Sequence, residues 1–420
     1  MELRLPPIWL MGLANLPFSM SSTVLLITVP QLLAARHVPE PMIASITAFA
    51  LIPGFAAFVV SPILDVRFSR RTYAIVMAVA SALCTLAALA SLDNLTALRW
   101  LLFLASAAAT LFQGALGGWL ASIVPKNQNS RLGVWFGVAN IAGFGVDVIL
   151  NITLYRTLVE PYGILAISAL IILPLTLLIP IPAPGADRRL ARESFAQFFG
   201  DLSRMVRRPT VVRTLLIFAM PAACFTLTNM LGGLGTDYHV SEKFVGLVAG
   251  VGVTFAGILG SLIVPALASR FGPYRLYITI GAVGALFTLS LVLLTQTPAT
   301  FALAMVGENI AQAAAFATAN AIIFREIGKD NPLAATEFTV LTSAVIFPLS
   351  YVQWADGQGY SYAGLTGALL MDGALGLVGC IGILLLLMRW PRWKAQRILT
   401  KSYARRMLFE VRKGSDKTSR

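Results

Sequence analysis

The stretch that decides the fold is SPILDVRFSRR at residues 61–71, where one aspartate and three arginines lie between two long apolar segments. A second stretch, VPALASRFGPYR at residues 264–275, repeats it at an offset of 203 residues. Four identities carry the repeat: Pro62 with Pro265, Leu64 with Leu267, Arg67 with Arg270 and Phe68 with Phe271. Two similar halves, each with a short charged turn after its second apolar segment, are typical of transporters built from tandem six-helix repeats.

The composition is that of a membrane protein. Hydrophobic residues make up 57% of the chain and charged residues 12%, whereas a soluble domain carries about 45–50% and about 25%. Apolar segments of about 20 residues recur from end to end, and each is long enough to cross a hydrocarbon core of roughly 30 Å. The sequence therefore indicates an integral membrane protein with many spans.

Helices are the only candidates for these spans, because open strands would leave backbone groups unpaired in lipid. Twelve spans are predicted, at residues 8–33, 43–63, 73–92, 98–123, 132–154, 163–181, 211–234, 244–267, 276–295, 300–323, 336–353 and 363–388. The predicted fold is an all-α membrane protein with twelve transmembrane helices in two six-helix bundles. The bundles occupy residues 1–181 and 211–388, joined by a linker at 182–210 with an amphipathic helix, and a basic tail covers 389–420.

The basic residues predict the orientation. With these spans, 28 of the 32 Lys and Arg residues fall on the side that holds both termini. The positive-inside rule then places both termini in the cytoplasm of a cell whose inner membrane the chain crosses. The net charge of +13 is explained by this distribution, so we expect the lipid bilayer and not nucleic acid as the partner of the basic segments.

The sequence offers little for an enzyme or a metal site. The cysteines Cys84, Cys224 and Cys380 lie singly inside apolar segments, and His37 and His239 lie in short loops. Neither a catalytic triad nor a phosphate-binding loop can be found in the sequence, so we expect no cofactor, no metal and no enzymatic activity. We also expect the protein to be a monomer.

Acidic residues inside the spans are candidates for proton coupling. Only Asp147, Glu308 and Asp372 lie well inside predicted spans, and no Lys or Arg does. A buried carboxylate without a basic partner is costly, so its neutral form is favoured and it can bind and release a proton. Glu308 is the first candidate and Asp147 the second, against the alternative of a protonated structural hydrogen bond; Asp372 is the weakest of the three.

Two further sets of residues complete the predicted transport site. Polar side chains inside spans predict a substrate cavity lined by Asn15, Gln113, Asn140, Asn229, Asn309 and Gln312. The turn at 61–71 predicts a cytoplasmic gate made by Asp65, Arg67, Arg70 and Arg71, because an acid at a helix end can pair with a neighbouring helix end in one conformation only. The second copy has Ala268 where the first has Asp65, so this gate is confined to the first half.

The turn resembles the Asp-x-x-x-x-Arg-Arg loop of the major facilitator superfamily, and the layout of two six-span halves is similar along nearly the whole chain. Within that superfamily the chain resembles the muropeptide permease and acetyl-CoA transporter family. The short motifs that carry this resemblance are Asn15-Leu16-Pro17, Ser61-Pro62 with Asp65, Glu308-Asn309, and Ala335-Thr336-Glu337-Phe338. The fourth span departs from the family, since Gln113, Gly114, Gly117 and Gly118 stand where two aspartates are usual.

The resemblance implies a secondary active transporter, a proton symporter or permease that imports a small-molecule substrate such as a peptidoglycan fragment. Three alternatives stay open. Siderophore permeases share the scaffold, and an exporter of amphipathic compounds would suit an apolar cavity. A membrane sensor that kept the fold and lost transport would explain the missing aspartates.

Overall fold

The computed structural model describes residues 5–66, 68–157, 172–183, 194–327 and 331–415, and every regular element in these ranges is a helix. The α-helices are α1 Ile8–Leu13, α2 Leu16–Thr23, α3 Val29–Ala35, α4 Glu40–Val60, α5 Arg70–Ala90, α6 Leu95–Ile123, α7 Asn129–Thr157, α8 Ser194–Val206, α9 Pro209–Ala219, α10 Leu227–Met230, α11 Glu242–Leu247, α12 Val253–Phe271, α13 Pro273–Leu291, α14 Pro298–Ile327 and α15 Ala334–Ser415. Six described stretches are long and apolar enough to cross a membrane, or seven if a bent pair within 45–65 forms one span.

In the first half, the spans begin where polar residues can cap them. Ser69 Oγ accepts a hydrogen bond of 3.1 Å from the backbone N–H of Thr72 at the start of α5. Asn94 Oδ1 accepts one of 3.1 Å from Ala97 at the start of α6. These caps satisfy backbone donors that have no partner within the helix.

The first predicted span is interrupted at Ala14 and Asn15 and contains a π-helical turn, Val24–Thr28. Residues 163–171 of the sixth predicted span, 163–181, lie outside the described residues, and the rest of it contains a short 3₁₀ helix, Leu173–Leu178.

The seventh predicted span, 211–234, is not one continuous helix. Helix α9 ends at Ala219, and α10 begins only at Leu227, with a 3₁₀ turn, Leu231–Leu234, after it. Within the break, Ala223 and Phe225 adopt φ angles of +58° and +51°. Residues with a Cβ rarely take this left-handed conformation, and each costs of order 1–3 kcal/mol unless its surroundings hold it. The helix is therefore broken by contacts from elsewhere in the bundle.

The last two predicted spans, 336–353 and 363–388, are joined without an extended loop. Helix α15 is bent only at Ala363 and Gly364, whose φ angles are −141° and +59°. Its first arm thus runs nine residues beyond the predicted end of the eleventh span, to residue 362. As a consequence, Asp356 lies within a helix and is fully buried, although it falls in a loop of the sequence prediction.

The two halves share one apolar core at one end of the molecule. This core contains rings from both halves, among them Phe136, Phe324 and Phe338, whose centroids lie 5.5–5.7 Å apart. The apolar clusters at the other end stay separate, since one draws only on residues 20–102 and the other only on residues 227–369. The halves are therefore closed against each other at the end that holds Phe136 and Phe338.

Two close crossings bring the halves together at this closed end. A Cβ on Gly118 of α6 would lie 2.4 Å from the backbone nitrogen of Ala335 in α15, and one on Gly133 of α7 would lie 2.6 Å from that of Ala321 in α14. Real Cβ atoms do not approach backbone so closely, so glycine is required at both positions. Both crossings place the backbone of one half directly against the backbone of the other.

Candidate functional site

Asp65 joins the two halves at their closed end. Its carboxylate Oδ2 accepts hydrogen bonds from the backbone N–H and the hydroxyl of Thr336, at 2.8 and 2.7 Å, and Oδ1 accepts one from the N–H of Ala335, at 3.3 Å. These donors belong to the first turn of α15, where backbone N–H groups have no helical partner and a negative charge is favoured. An acid of the first half thus caps a helix of the second.

Arg70 completes this arrangement. Its Nε lies 2.8 Å from Asp65 Oδ1, and its Nη2 donates to the carbonyl oxygens of Asn331 and Pro332, at 2.9 and 3.1 Å. Both side chains are almost fully buried, at 0% exposure for Asp65 and 4% for Arg70. A buried ion pair is stable only when its remaining donors and acceptors are also satisfied, and the second half supplies those partners. We name this set of contacts, Asp65 and Arg70 with Asn331, Pro332, Ala335 and Thr336, the latch.

The other predicted gate residues are placed differently. Arg71 stays within the first half, where its guanidinium lies 5.8 Å from the ring centroid of Trp119 and 3.5 Å from the carbonyl of Ile179. Arg67 lies outside the described residues. Glu337, which follows the latch, belongs to a motif noted in the sequence but was not among the predicted site residues, and it is fully buried.

Glu337 connects the latch region to the linker. Its Oε2 accepts from Asn331 Nδ2 at 2.7 Å and from Arg208 Nη1 at 3.3 Å. Arg208 precedes α9 and follows the linker helix α8. The start of α15 is thereby held both by the first half and by the segment that connects the halves.

The second close crossing carries a weaker contact. Asn129 at the start of α7 donates from Nδ2 to the carbonyl oxygen of Phe324, at 2.9 Å, and its side chain is buried. The offset of 203 residues maps the start of α15 onto the start of α7 and Asp65 onto Ala268, which has no polar side chain. The two crossings are therefore related by the internal repeat, but only one of them contains a charge.

Three of the predicted cavity residues meet in the first half. Asn140 Oδ1 lies 2.5 Å from Asn15 Nδ2 and 3.4 Å from Gln113 Nε2, and the hydroxyl of Ser19 donates to the Asn140 carbonyl at 2.8 Å. The residues come from α2 with the break before it, from α6 and from α7. The interruption at Asn15 lets its side chain reach α7 instead of capping α2. The result is an uncharged polar cluster shared by three spans.

The predicted cavity residues of the second half do not form one cluster. Gln312 Nε2 donates to Thr228 Oγ1 at 2.8 Å and to the Phe225 carbonyl at 3.2 Å, which ties α14 to the broken seventh span. Asn309 donates to the carbonyl of Met305 in its own helix, at 2.8 Å. The side chain of Asn229 lies outside the described residues.

Buried acids lie in both halves. Asp147 is fully buried on α7, two helical turns beyond Asn140. Glu308 on α14 is also fully buried, and its Oε1 lies 2.5 Å from the hydroxyl of Thr288 on α13. The other oxygen, Glu308 Oε2, has no hydrogen-bond partner among the described residues. Glu308 is thus directed toward a neighbouring helix of its own half.

A pair of aspartates lies near the helix break of the second half. Thr226 Oγ1 is in hydrogen-bond contact with Asp356 Oδ2 and lies 2.8 Å from Asp372 Oδ1. All three residues are buried, with at most 5% exposure. Asp372 was the weakest candidate from the sequence, and Asp356 was missed, because polar residues at 353–358 lower the local hydropathy and moved the predicted span end to 353.

The chain can be compared with known proteins. The model of the Major Facilitator Superfamily matches residues 11–338. No curated protein sequence matches the chain significantly. Among solved structures, it is similar to the proton:xylose symporter XylE bound to 6-bromo-6-deoxy-D-glucose, with 14% identity, coverage of 89% of this chain and 94% of that one, and a TM-score of 0.69.

Two other similar structures are of proteins whose names mention other substrates, iron and fucose. A bacterial homologue of the iron transporter ferroportin, in an outward-facing state, is 14% identical, with coverage of 91% and 100% and a TM-score of 0.66. The E. coli fucose:proton symporter FucP is 15% identical, with coverage of 90% and 98% and a TM-score of 0.68. At these identities the likeness shows the fold, and the predicted all-α membrane fold of two helical bundles is confirmed.

Proposed function

Because the chain belongs to the major facilitator superfamily, we propose that it is a proton-coupled secondary transporter that imports a mid-sized polar metabolite by alternating access. A peptidoglycan fragment is the proposed substrate class, in keeping with the resemblance to muropeptide permeases. The protein lies in the inner membrane with both termini in the cytoplasm. The end that carries the latch is then the cytoplasmic end.

The observation that carries this proposal is the latch itself. An acid of one half accepts hydrogen bonds from the helix start of the other, at 2.7–3.3 Å, in a fully buried position. Such a contact is lost when the halves separate at this end, because its partners belong to different bundles. A set of bonds that exists in one access state only is the kind of two-state element that alternating access requires.

The uncharged cluster of the first half supports a neutral polar ligand. The amide nitrogens of Asn15 and Gln113 both donate to Asn140 Oδ1, and Asn15 Oδ1 is buried without a hydrogen-bond partner among the described residues. A sugar hydroxyl or an acetamido group can exchange with such bonds without bringing a charge out of water. The missing aspartates of the fourth span are consistent with this class, since Gln113 and three glycines leave positions 113–118 of that helix without charge.

Proton coupling is assigned to Glu308. Its carboxyl is fully buried, one oxygen contacts Thr288, and the other has no described partner. Thr288 also lies 3.1 Å from the carbonyl of Gly284, which can only accept. The Thr288 hydroxyl has one hydrogen and can donate it either to the Gly284 carbonyl or to Glu308. If it donates to Gly284, a proton on Glu308 can complete the hydrogen bond between Glu308 and Thr288.

The experiment uses purified protein in liposomes and a radiolabelled disaccharide fragment of peptidoglycan. Glu308→Gln should abolish uphill accumulation driven by a pH gradient, because the amide cannot bind and release the coupling proton. Exchange of labelled for unlabelled disaccharide should survive, because exchange needs no net proton movement. Asp93→Asn, at an aspartate side chain that is 96% exposed, is the matched control and should keep both activities.

Two results would contradict the proposal. Accumulation at the parental level in Glu308→Gln would remove Glu308 from coupling and transfer the role to Asp147. No accumulation or exchange of the disaccharide by the parent protein would reject the substrate class. In that case, metabolites that build up in the medium of a strain lacking the gene should be identified and tested in the same liposomes.

A further inference from the structure

The helix break between α9 and α10 is held by side chains from four other segments. Gln312 of α14 donates to the Phe225 carbonyl at 3.2 Å, and the hydroxyl of Tyr277 on α13 donates to the Ala222 carbonyl at 3.1 Å. The two arms of α15 contribute Asp356 and Asp372, which both contact the hydroxyl of Thr226. These contacts surround the left-handed residues of the break, and they offset the backbone strain of residues that carry a Cβ.

The contact of one hydroxyl with two carboxyl groups bears on how many protons the two carboxyl groups carry. Thr226 Oγ1 has a single hydrogen, which it can donate to only one aspartate. The other carboxyl can bond to the same oxygen only if it carries a proton and donates it. Two ionised carboxylates on this hydroxyl would leave one oxygen facing another without hydrogen between them. Asp372 also accepts a hydrogen bond from the backbone N–H of Thr226, but that bond places no hydrogen between the hydroxyl oxygen and the second carboxyl, so the geometry favours one proton on the pair of aspartates.

Within the described ranges, no positively charged side chain lies close enough to the pair to replace this proton. The titratable side chains that interact with the pair are Cys224 in the break and Glu308 on α14, and Tyr277 and Tyr351 lie beside Cys224; none of these carries a positive charge. Neither aspartate forms an ion pair with a described basic residue. Asp356 Oδ1 is buried and has no hydrogen-bond partner among the described residues. A small cavity beside Asp372, lined by Pro221, Phe225 and Gly281, reaches the break.

We propose that Thr226, Asp356 and Asp372 form a binding site for one exchangeable proton, distinct from Glu308, whose occupancy holds the seventh span in its broken form. Loss of the proton would place two carboxylates on one hydroxyl in a low-dielectric interior, where like charges repel strongly. The contacts that hold Thr226 would then be lost and the break would rearrange. The proposal deepens the transport function by placing a second proton in the same half, but proton binding can be measured without transport.

The test is infrared spectroscopy of the full chain in lipid nanodiscs, with pH as the only variable. The parent protein should show the C=O band of a protonated carboxyl at neutral pH, and this band should disappear on alkaline titration. In Asp356→Asn and in Asp372→Asn, the intensity of this band should fall by the absorbance of one protonated carboxyl. In either variant the new amide can donate to Thr226 Oγ1, while the hydroxyl donates to the remaining carboxylate, so no proton is needed.

Asp93→Asn is the control for spectroscopy and should leave the band unchanged, because its side chain is 96% exposed. Thr226→Ser keeps the hydroxyl and should keep the band, and it serves as the folded reference if either asparagine variant is unstable. An unchanged band in both asparagine variants overturns the proposal. A band that vanishes in sodium buffer and returns in potassium buffer also overturns it, because the site would then bind a sodium ion in place of the proton.

The link to the break is tested by hydrogen–deuterium exchange of residues 220–226, corrected for the intrinsic pH dependence of exchange. In the parent, exchange of this segment should rise at least severalfold over the pH range where the infrared band is lost. The Asp356→Asn/Asp372→Asn double variant, which has no charge to develop, should show no such rise. A parent whose segment exchanges equally at all pH values would refute the conformational role. The infrared band and the hydrogen–deuterium exchange do not depend on disaccharide transport. The proposed transport function and the proposed proton site can therefore be rejected independently.

Discussion

Replacing Asp65 by asparagine should open the latch end. The amide nitrogen can only donate, yet all four groups around the carboxylate are donors: Arg70 Nε, the N–H groups of Ala335 and Thr336, and the Thr336 hydroxyl. The better orientation keeps the single carbonyl oxygen against Thr336 and places the amide nitrogen against Arg70 and Ala335. The variant therefore loses the ion pair and one bond between the halves, and the remaining bonds lose their charge.

The size of the effect follows from these losses. A hydrogen bond to a charged group contributes about 1.5–3 kcal/mol, and a neutral one about 0.5–1.5 kcal/mol. One lost bond and two weakened bonds between the halves should shift the equilibrium by about 2–3 kcal/mol toward the state that is open at this end. Since about 1.4 kcal/mol corresponds to a factor of ten, the ratio of the two states should change roughly 30-fold to 150-fold.

The assay measures distances between spin labels across the two halves, in a background without the native cysteines. Labels at Asn127 and Arg325 report on the latch end, and labels at Asn94 and Gln296 report on the opposite end. In Asp65→Asn the first pair should gain a longer distance and the second pair a shorter one. Asp93→Asn, which removes the exposed ion pair with Arg36 inside the first half, should change neither. Unchanged distances in a folded Asp65→Asn protein would refute the role of the latch.

The remaining predictions concern the close crossing and the topology. Gly118→Ala should destabilise the closed end by about 1–3 kcal/mol and lengthen the latch-end distance, because its Cβ would meet the Ala335 backbone; Gly54→Ala, with open space around it, should not. A normal latch-end distance in Gly118→Ala would contradict this interpretation of the crossing. A cysteine at Ser203 should react with a membrane-impermeant thiol reagent only in opened cells, whereas one at Thr236 should react in intact cells. The reverse pattern would reject a cytoplasmic location of both termini.

Local patterns in the sequence were sufficient for the repeated turn and for much of the first half. The spacing of Asp65, Arg70 and Arg71 indicated an acid at a helix end with basic neighbours, and amides inside the spans placed Asn15, Gln113 and Asn140 among the six predicted cavity residues. Each signal depends on residue type and on position within an apolar segment. Both remain visible without knowledge of the packing.

The second half was harder to predict because its important contacts are between distant residues. Pro221 alone does not indicate a helix break, since proline is tolerated inside membrane helices. The break depends on Gln312, Asp356 and Asp372, which follow their partners in it by 87–146 residues. No local pattern connects them. The partners of Asp65 were likewise unknown, because α15 begins 269 residues later.

The two crossings at the closed end differ in strength, and this difference should set the order in which they part. Gly118 with Ala335 is reinforced by the buried charge of Asp65, whereas among the described residues the side-chain hydrogen bond beside Gly133 and Ala321 is the neutral one from Asn129 to Phe324. The weaker seam needs less free energy to separate, so we expect water to enter first between α7 and α14. The halves would then rotate about the Asp65 side. The motion would be asymmetric, because the two crossings would not separate at the same time.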